Sequence, residues 1–277
     1  MPLIRERDSK RLHIKSKLMG ESLVGKAFLK SLEYGPQFRA LPEVNILKIG
    51  GQSITDMGAR AVLPIIKEIV QNSKEHKMVI STGGGTRSRH VYAIAMELGM
   101  PTGIIATLGQ SVSEQNALMI STLLNPYGGI KIGHDDIPKL AAYLNQGCIP
   151  VIHGMPPYGF WEHPPEEGRL PPNRTDVGAF LLSEVTGAKQ CIFIKDVKGL
   201  YTDNPKTNPK AEFIPRIGAK ELMERDLPDL ALERMVLVSM LNSENSREIQ
   251  IINGMVEGNI TRALNGEHVG TIIYKDN

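Results

Sequence analysis

From Val44 onward this chain is built of short apolar runs that stop abruptly at glycine, proline or charge and alternate with helical patterns. Strand candidates cover 44–49, 78–81, 103–106, 129–132, 148–153, 190–195, 249–252 and 271–274. Helix candidates lie between them at 58–71, 87–98, 112–124, 138–146, 175–186, 219–224, 232–246 and 260–264. In the first of these, Ala61, Val62, Ile65, Ile66 and Ile69 recur on one side, the stripe of a helix packed on a core. Alternation of this kind predicts an α/β fold with a mainly parallel sheet and helices on both faces. In such folds ligands bind outside the carboxyl ends of the strands.

Two regions break the rhythm. Residues 1–42 are dense in charge, and Leu18, Leu23, Val24, Phe28, Leu29 and Leu32 recur at near-helical spacing. They predict a helical arm that docks on its own body or on another subunit. The second region, 153–174, holds Pro156, Pro157, Pro164, Pro165, Pro171 and Pro172 with Tyr158, Phe160 and Trp161. Proline at this density cannot continue a helix or a central strand. The aromatic residues argue for an ordered functional loop.

Lys and Arg total 32 against 30 Asp and Glu, a net charge of +2, which argues against nucleic-acid binding through bulk charge. Cys148 and Cys191 are the only cysteines, neither in a CxxC pair, so a disulfide scaffold and a zinc site are both excluded. The amino terminus lacks a signal-like apolar run and no stretch reaches membrane-spanning length, so the expected location is the cytoplasm.

Four loops follow predicted strands and carry the candidate chemistry. Lys48 with Gly50-Gly51 combines a mobile ammonium with a backbone that an anion can approach. Gly83-Gly84-Gly85, followed by Arg87, Arg89 and His90, sits between a strand and a helix amino end, an anion cradle. Asn173-Arg174-Thr175-Asp176 opens a helix that Thr175 or Asp176 can cap; the functional alternative, compatible with capping, is that Asp176 aligns lysines against a transferring phosphoryl group or helps hold magnesium. The stretch CIFIKDVKGLYTDNP, from Cys191 to Pro205, is a buried strand ending in a polar turn. Tyr201 and Pro205 are candidate walls for an adenine ring, and Lys206 is a candidate phosphate contact. No Walker A, HExxH or GxSxG sequence occurs.

Taken in order, Lys48/Gly50-Gly51, Gly83-Gly84-Gly85, Thr175-Asp176, Asp196 to Thr202, and Asn253-Gly254 with Gly266 to Thr271 resemble the amino acid kinase family over about residues 43–275. The resemblance implies a three-layer αβα sandwich over 43–277, with an ATP-binding carboxyl-terminal lobe from about 175. It implies ATP and magnesium as ligands, with Lys48 and Asp176 catalytic. It further assigns Lys48, Gly50, Gly51, Gly83, Gly84, Gly85, Arg87, Lys195, Asp196, Gly199, Tyr201, Asn204, Pro205 and Lys206 to the nucleotide. Within the family, GTRSRH, the long PPY…PP loop and Asn204-Pro205 are most similar to an oxyanion-storing branch related to uridylate kinases. That branch implies an ATPase activity that packs molybdate or tungstate as polyoxometalate clusters. It also implies an oligomeric cage, either with an alpha-type partner subunit or of one subunit type. His134, His153 and His163 are the expected metal contacts. Against uridylate phosphorylation, Gln115 stands where uridylate kinases carry an acceptor-site Asp, and the proline-rich segment replaces their acceptor loop. A small-molecule kinase is the alternative reading.

Overall fold

The computed structural model describes the backbone of residues 3–5 and 12–14 and residues 35–276 in full. The expected helix over Leu18 to Leu32 lies outside the described residues. Residues 1–38 and 39–277 form separate compact units. In the first, β1 (Leu3–Arg5) and β2 (Leu12–Ile14) pair antiparallel, with Ile4 opposite His13.

The second unit is organised by an eight-stranded sheet. Its strands are β3 (Asn45–Ile49), β4 (Met78–Thr82), β5 (Gly129–Lys131), β6 (Ile149–His153), β7 (Gln190–Lys195), β10 (Arg216–Gly218), β11 (Glu248–Asn253) and β12 (Thr271–Tyr274). The order is β10-β12-β11-β7-β3-β4-β6-β5. Every pairing is parallel except β11 with β12. A separate antiparallel pair, β8 (Leu200–Tyr201) with β9 (Phe213–Ile214), follows β7.

The central strands are apolar on both faces because helices cover both. On one face Ile46, Val79, Cys191 and Phe193 pack under Phe180 of helix Thr175–Thr186 and Leu237 of helix Arg234–Leu241. On the other, Leu47, Ile80, Ile192 and Ile194 meet Ile65 of helix Ala59–Asn72, Ile120 of helix Thr102–Leu124 and Ile260 of helix Asn259–Leu264. The result is the expected three-layer αβα sandwich.

One strand expectation fails. Residues 103–106 are the first turn of helix Thr102–Leu124, whose N-cap Pro101 is extended at φ −73° and ψ 157°. Gly103, Ala106, Gly109, Ser113, Asn116 and Ile120 are all buried along it, a three-to-four residue spacing that a four-residue window cannot reveal. Helix 232–246 is trimmed to Arg234–Leu241. Cys148 precedes β6 and is only half-buried. The proline-rich segment contains one helical turn, Gly159–Trp161, and Trp161 is exposed.

Candidate functional site

Strand alternation decides where the charges go. Ile46 and Lys48 on β3, and Cys191, Phe193 and Lys195 on β7, share one sheet face, and the two strands pair in parallel with Ile49 opposite Ile194. That face lies under helix Thr175–Thr186. Lys48 forms an ion pair with Asp176 there, both residues 3% exposed. The Lys195 ammonium lies 3.0 Å from Asp176 Oδ2 and 3.3 Å from Oδ1. Two buried ammoniums therefore share one carboxylate and leave a positive excess in a water-poor setting, a strong attractor for an anion. Burial alone would raise the Asp176 carboxyl, but Lys195 and then Lys48 outweigh it and hold it well below the ordinary range. Lys195 is pushed down, first by burial, against the pull of Asp176.

Asp176 does not cap its helix. The Glu233 carboxylate does so, accepting the Asp176 and Val177 N–H groups at 3.1 and 3.2 Å. Burial, then the Asp176 charge, raises the Glu233 carboxyl above its usual value. Glu233 has no sequence signature, since it sits in an irregular approach to helix Arg234–Leu241 and meets Asp176 only through the tertiary fold.

The glycine loops meet at the same place. A Cβ on Gly83 would lie 2.6 Å from Gly51 N and 3.1 Å from Lys48 Nζ, so only glycine permits this approach. The Gly50 and Gly83 N–H groups bond to Ile194 O and Ile49 O, each at 3.0 Å, tying the loops to strand ends instead of leaving both donors free. Helix Gly85–Glu97 starts with Asp56 Oδ2 accepting the Thr86 N–H at 2.6 Å.

These elements line a cleft of about 760 Å³, within the range of small-molecule sites. Lys48, Gly50, Gly51, Gly83, Gly84, Gly85, Asp176, Lys195, Asp196, Gly199, Tyr201, Asn204, Pro205 and Lys206 all border it. Arg87 does not. Its guanidinium bonds Gln115 Oε1 at 2.9 Å and Asn116 Oδ1, and Asn116 Nδ2 donates to Gly83 O at 2.5 Å. Arg89 borders the cleft instead, because residues two apart on a helix point to different sides. Tyr92, Arg174, Asp203 and Glu233 are further lining residues. Tyr201 stacks edge-on with Phe213 at 5.5 Å between centroids. The Lys206 ammonium is held by Asp196 at 2.5 Å.

The three histidines are not one cluster. His134 and His153 rings pack edge-on with centroids 4.4 Å apart. His153 is buried, its Nε2 3.7 Å from Glu114 Oε1 and its Nδ1 without a partner. Burial first, then His134, lowers its pKa to about 4, so it is neutral at pH 7. His134 Nε2 contacts Met155 O at 2.9 Å. His163 is exposed and its contacts are with its neighbours Pro164 and Glu162. Among the described residues no group of three or more His, Cys, Asp or Glu could hold a metal ion, and no helix is long and apolar enough to cross a membrane.

Comparison with known proteins agrees with this architecture. The model of the amino acid kinase family matches residues 43–253. Molybdenum storage protein subunit beta of Azotobacter vinelandii is 48% identical over 92% of this chain and 95% of its own length. A uridylate kinase of Thermofilum pendens is 30% identical over 82% of this chain and 96% of its own. Among solved structures, uridylate kinase of Archaeoglobus fulgidus superposes with a TM-score of 0.64 at 22% identity, covering 83% of this chain and 99% of that one.

Proposed function

This chain belongs to the amino acid kinase family, and from that premise we propose that it is an ATP-binding subunit of a molybdenum or tungsten storage complex. The observation that carries the proposal is the 48% identity, across nearly the whole of both chains, with a molybdenum storage protein subunit. In this reading the cleft takes the triphosphate and the complex packs molybdate or tungstate as polyoxometalate clusters in the cytoplasm. An alpha-type subunit is the expected partner in an oligomeric cage, and residues 1–42 are the arm that contacts a neighbouring subunit.

The donor set fits a triphosphate. Two ammoniums over one carboxylate, beside glycines that admit no Cβ, favour an anion pressed against the backbone. Lys48 and Lys195 would stabilise charge on a phosphoryl group during its transfer, and Asp176 would keep both ammoniums aimed. The set does not form a dedicated magnesium cage, because both Asp176 oxygens are taken by lysines. Magnesium would enter with the triphosphate. Oxomolybdate clusters are polyanions that need hydrogen-bond donors and cations around them. The His134–His153 pair is the proposed cargo contact, with His163 as an outlying one.

The test is elemental analysis of protein loaded with MgATP and molybdate or tungstate, alone and with its partner, after gel filtration. Metal should travel with the protein, and its absence under every condition would refute storage. The buried Lys48–Asp176–Lys195 set also supports a second reading, a small-molecule kinase with uridylate-kinase-like transfer. Phosphorylation of UMP in a coupled assay would favour it.

A further inference from the structure

We infer that the cleft holds a second anion subsite, made by Ser88 and Arg174, and that Tyr92 restricts it to a small tetrahedral oxyanion and excludes a nucleoside monophosphate. This rests on reading the neighbouring glycine and lysine region as the triphosphate site.

Ser88 and Tyr92 lie one turn apart on helix Gly85–Glu97, and residues four apart share a face. Both are 6% exposed, and both border the cleft. The Ser88 hydroxyl has no hydrogen-bond partner although it is buried. It packs directly on the cradle: a Cβ on Gly84 would collide with Ser88 Oγ and lie 2.8 Å from Ser88 Cβ. Arg174, the residue before Thr175-Asp176, also borders the cleft, and its buried Nε lacks a partner. A buried donor without an acceptor is costly, so two in one cleft mark a place shaped for a group that accepts from both. An oxyanion offers such acceptors, and a guanidinium suits its geometry.

Tyr92 sets the size. Its ring is pressed on helix Thr102–Leu124, where a Cβ on Gly109 would lie 2.5 Å from Tyr92 Cε1. Its hydroxyl reaches only Met155 Sδ, at 4.0 Å. The ring is thus a fixed wall beside Ser88. In this inference an anion of four oxygens takes both donors against that wall, and the ring denies a ribose and base their room. The Arg174 charge acts on this hydroxyl and on Glu233, which ties the subsite to the Asp176 centre.

The experiment is calorimetric titration of the full chain, with a non-hydrolysable ATP analogue present, using dilute tungstate at mildly alkaline pH and, separately, UMP. Tungstate should bind the wild type and UMP should not displace it. R174Q should weaken tungstate binding roughly tenfold or more, and S88A roughly fivefold, as expected for losing charged and neutral hydrogen bonds. Y92A should admit UMP while Y92F should not. Wild-type tungstate affinity in both R174Q and S88A, or UMP competing in the wild type, would overturn the inference. The analogue titration is read separately: its failure would sink the triphosphate reading, whereas unchanged tungstate binding with a normal analogue titration would sink only the second subsite.

Discussion

The Lys48–Asp176–Lys195 centre and the His134–His153 pair both lie toward the carboxyl ends of parallel strands, β3 and β7 in one case and β6 in the other, but burial is answered differently in each. In the first, charge is retained and compensated: the carboxylate stays ionised because two ammoniums adjoin it. In the second, charge is given up. His153 Nδ1 has no partner, and the ring stays neutral because nothing nearby offsets its burial strongly enough. The comparison teaches that one sheet edge can carry both a compensated cluster of charges and a buried neutral imidazole.

The largest expected effect comes from removing the compensation. Asp176→Asn removes the carboxylate that both ammoniums contact, so urea unfolding at neutral pH should show a loss of about 3–5 kcal/mol. A loss below about 1 kcal/mol would mean the centre is wetter than its burial indicates, and the contrast with the histidines would collapse.

Acid titration separates the two regions. His153 is held at about 4 in the fold against an ordinary 6.5. The unfolded chain therefore binds its proton first, and this contribution is complete above pH 6.5 and lost as pH falls toward 4. The loss amounts to up to about 3 kcal/mol. Asp176 behaves differently: held below its ordinary 3.8, it gives up its contribution only at lower pH. Glu162 and Glu233, both raised by burial, act in the opposite sense, so the difference between wild type and H153Q is the quantity to follow. That difference should shrink between pH 6.5 and 4. A constant difference would show that His153 titrates normally.

The smallest effect sharpens the comparison from outside. Lys206 and Asp196 also form a close ion pair, but the lysine side chain is 61% exposed. Lys206→Ala should change stability by less than about 1 kcal/mol, measured by the same urea curves.

How legible all this was depends on distance along the chain. Lys48 and Asp176 could be singled out because each follows a local pattern, a strand ending in glycines and a helix opening after prolines. The sandwich could be read because the central strands are apolar on both faces, which only two covering layers allow. Residues 103–106 misled because Gly-Ile-Ile-Ala suits a strand as well as a buried helix turn. Choosing Arg87 over Arg89 required the helix phase, which Asn116 and Gln115 fix from another element. The Glu233 contact spans 57 residues, and His134, in the helical turn His134–Lys139 after β5, meets His153 at the end of β6; no local pattern encodes either.

The claim on which the account depends is that glycine turns from separate parts of the chain, with Lys48 and Lys195, converge on one triphosphate. A crystal structure grown with magnesium and a non-hydrolysable ATP analogue tests it most directly. The account predicts phosphate oxygens against Gly51 and Gly83–Gly85 within hydrogen-bond reach of Lys48 and Lys195, with Asp176 still between the two lysines. A nucleotide bound elsewhere, or phosphates remote from both ammoniums, would contradict it.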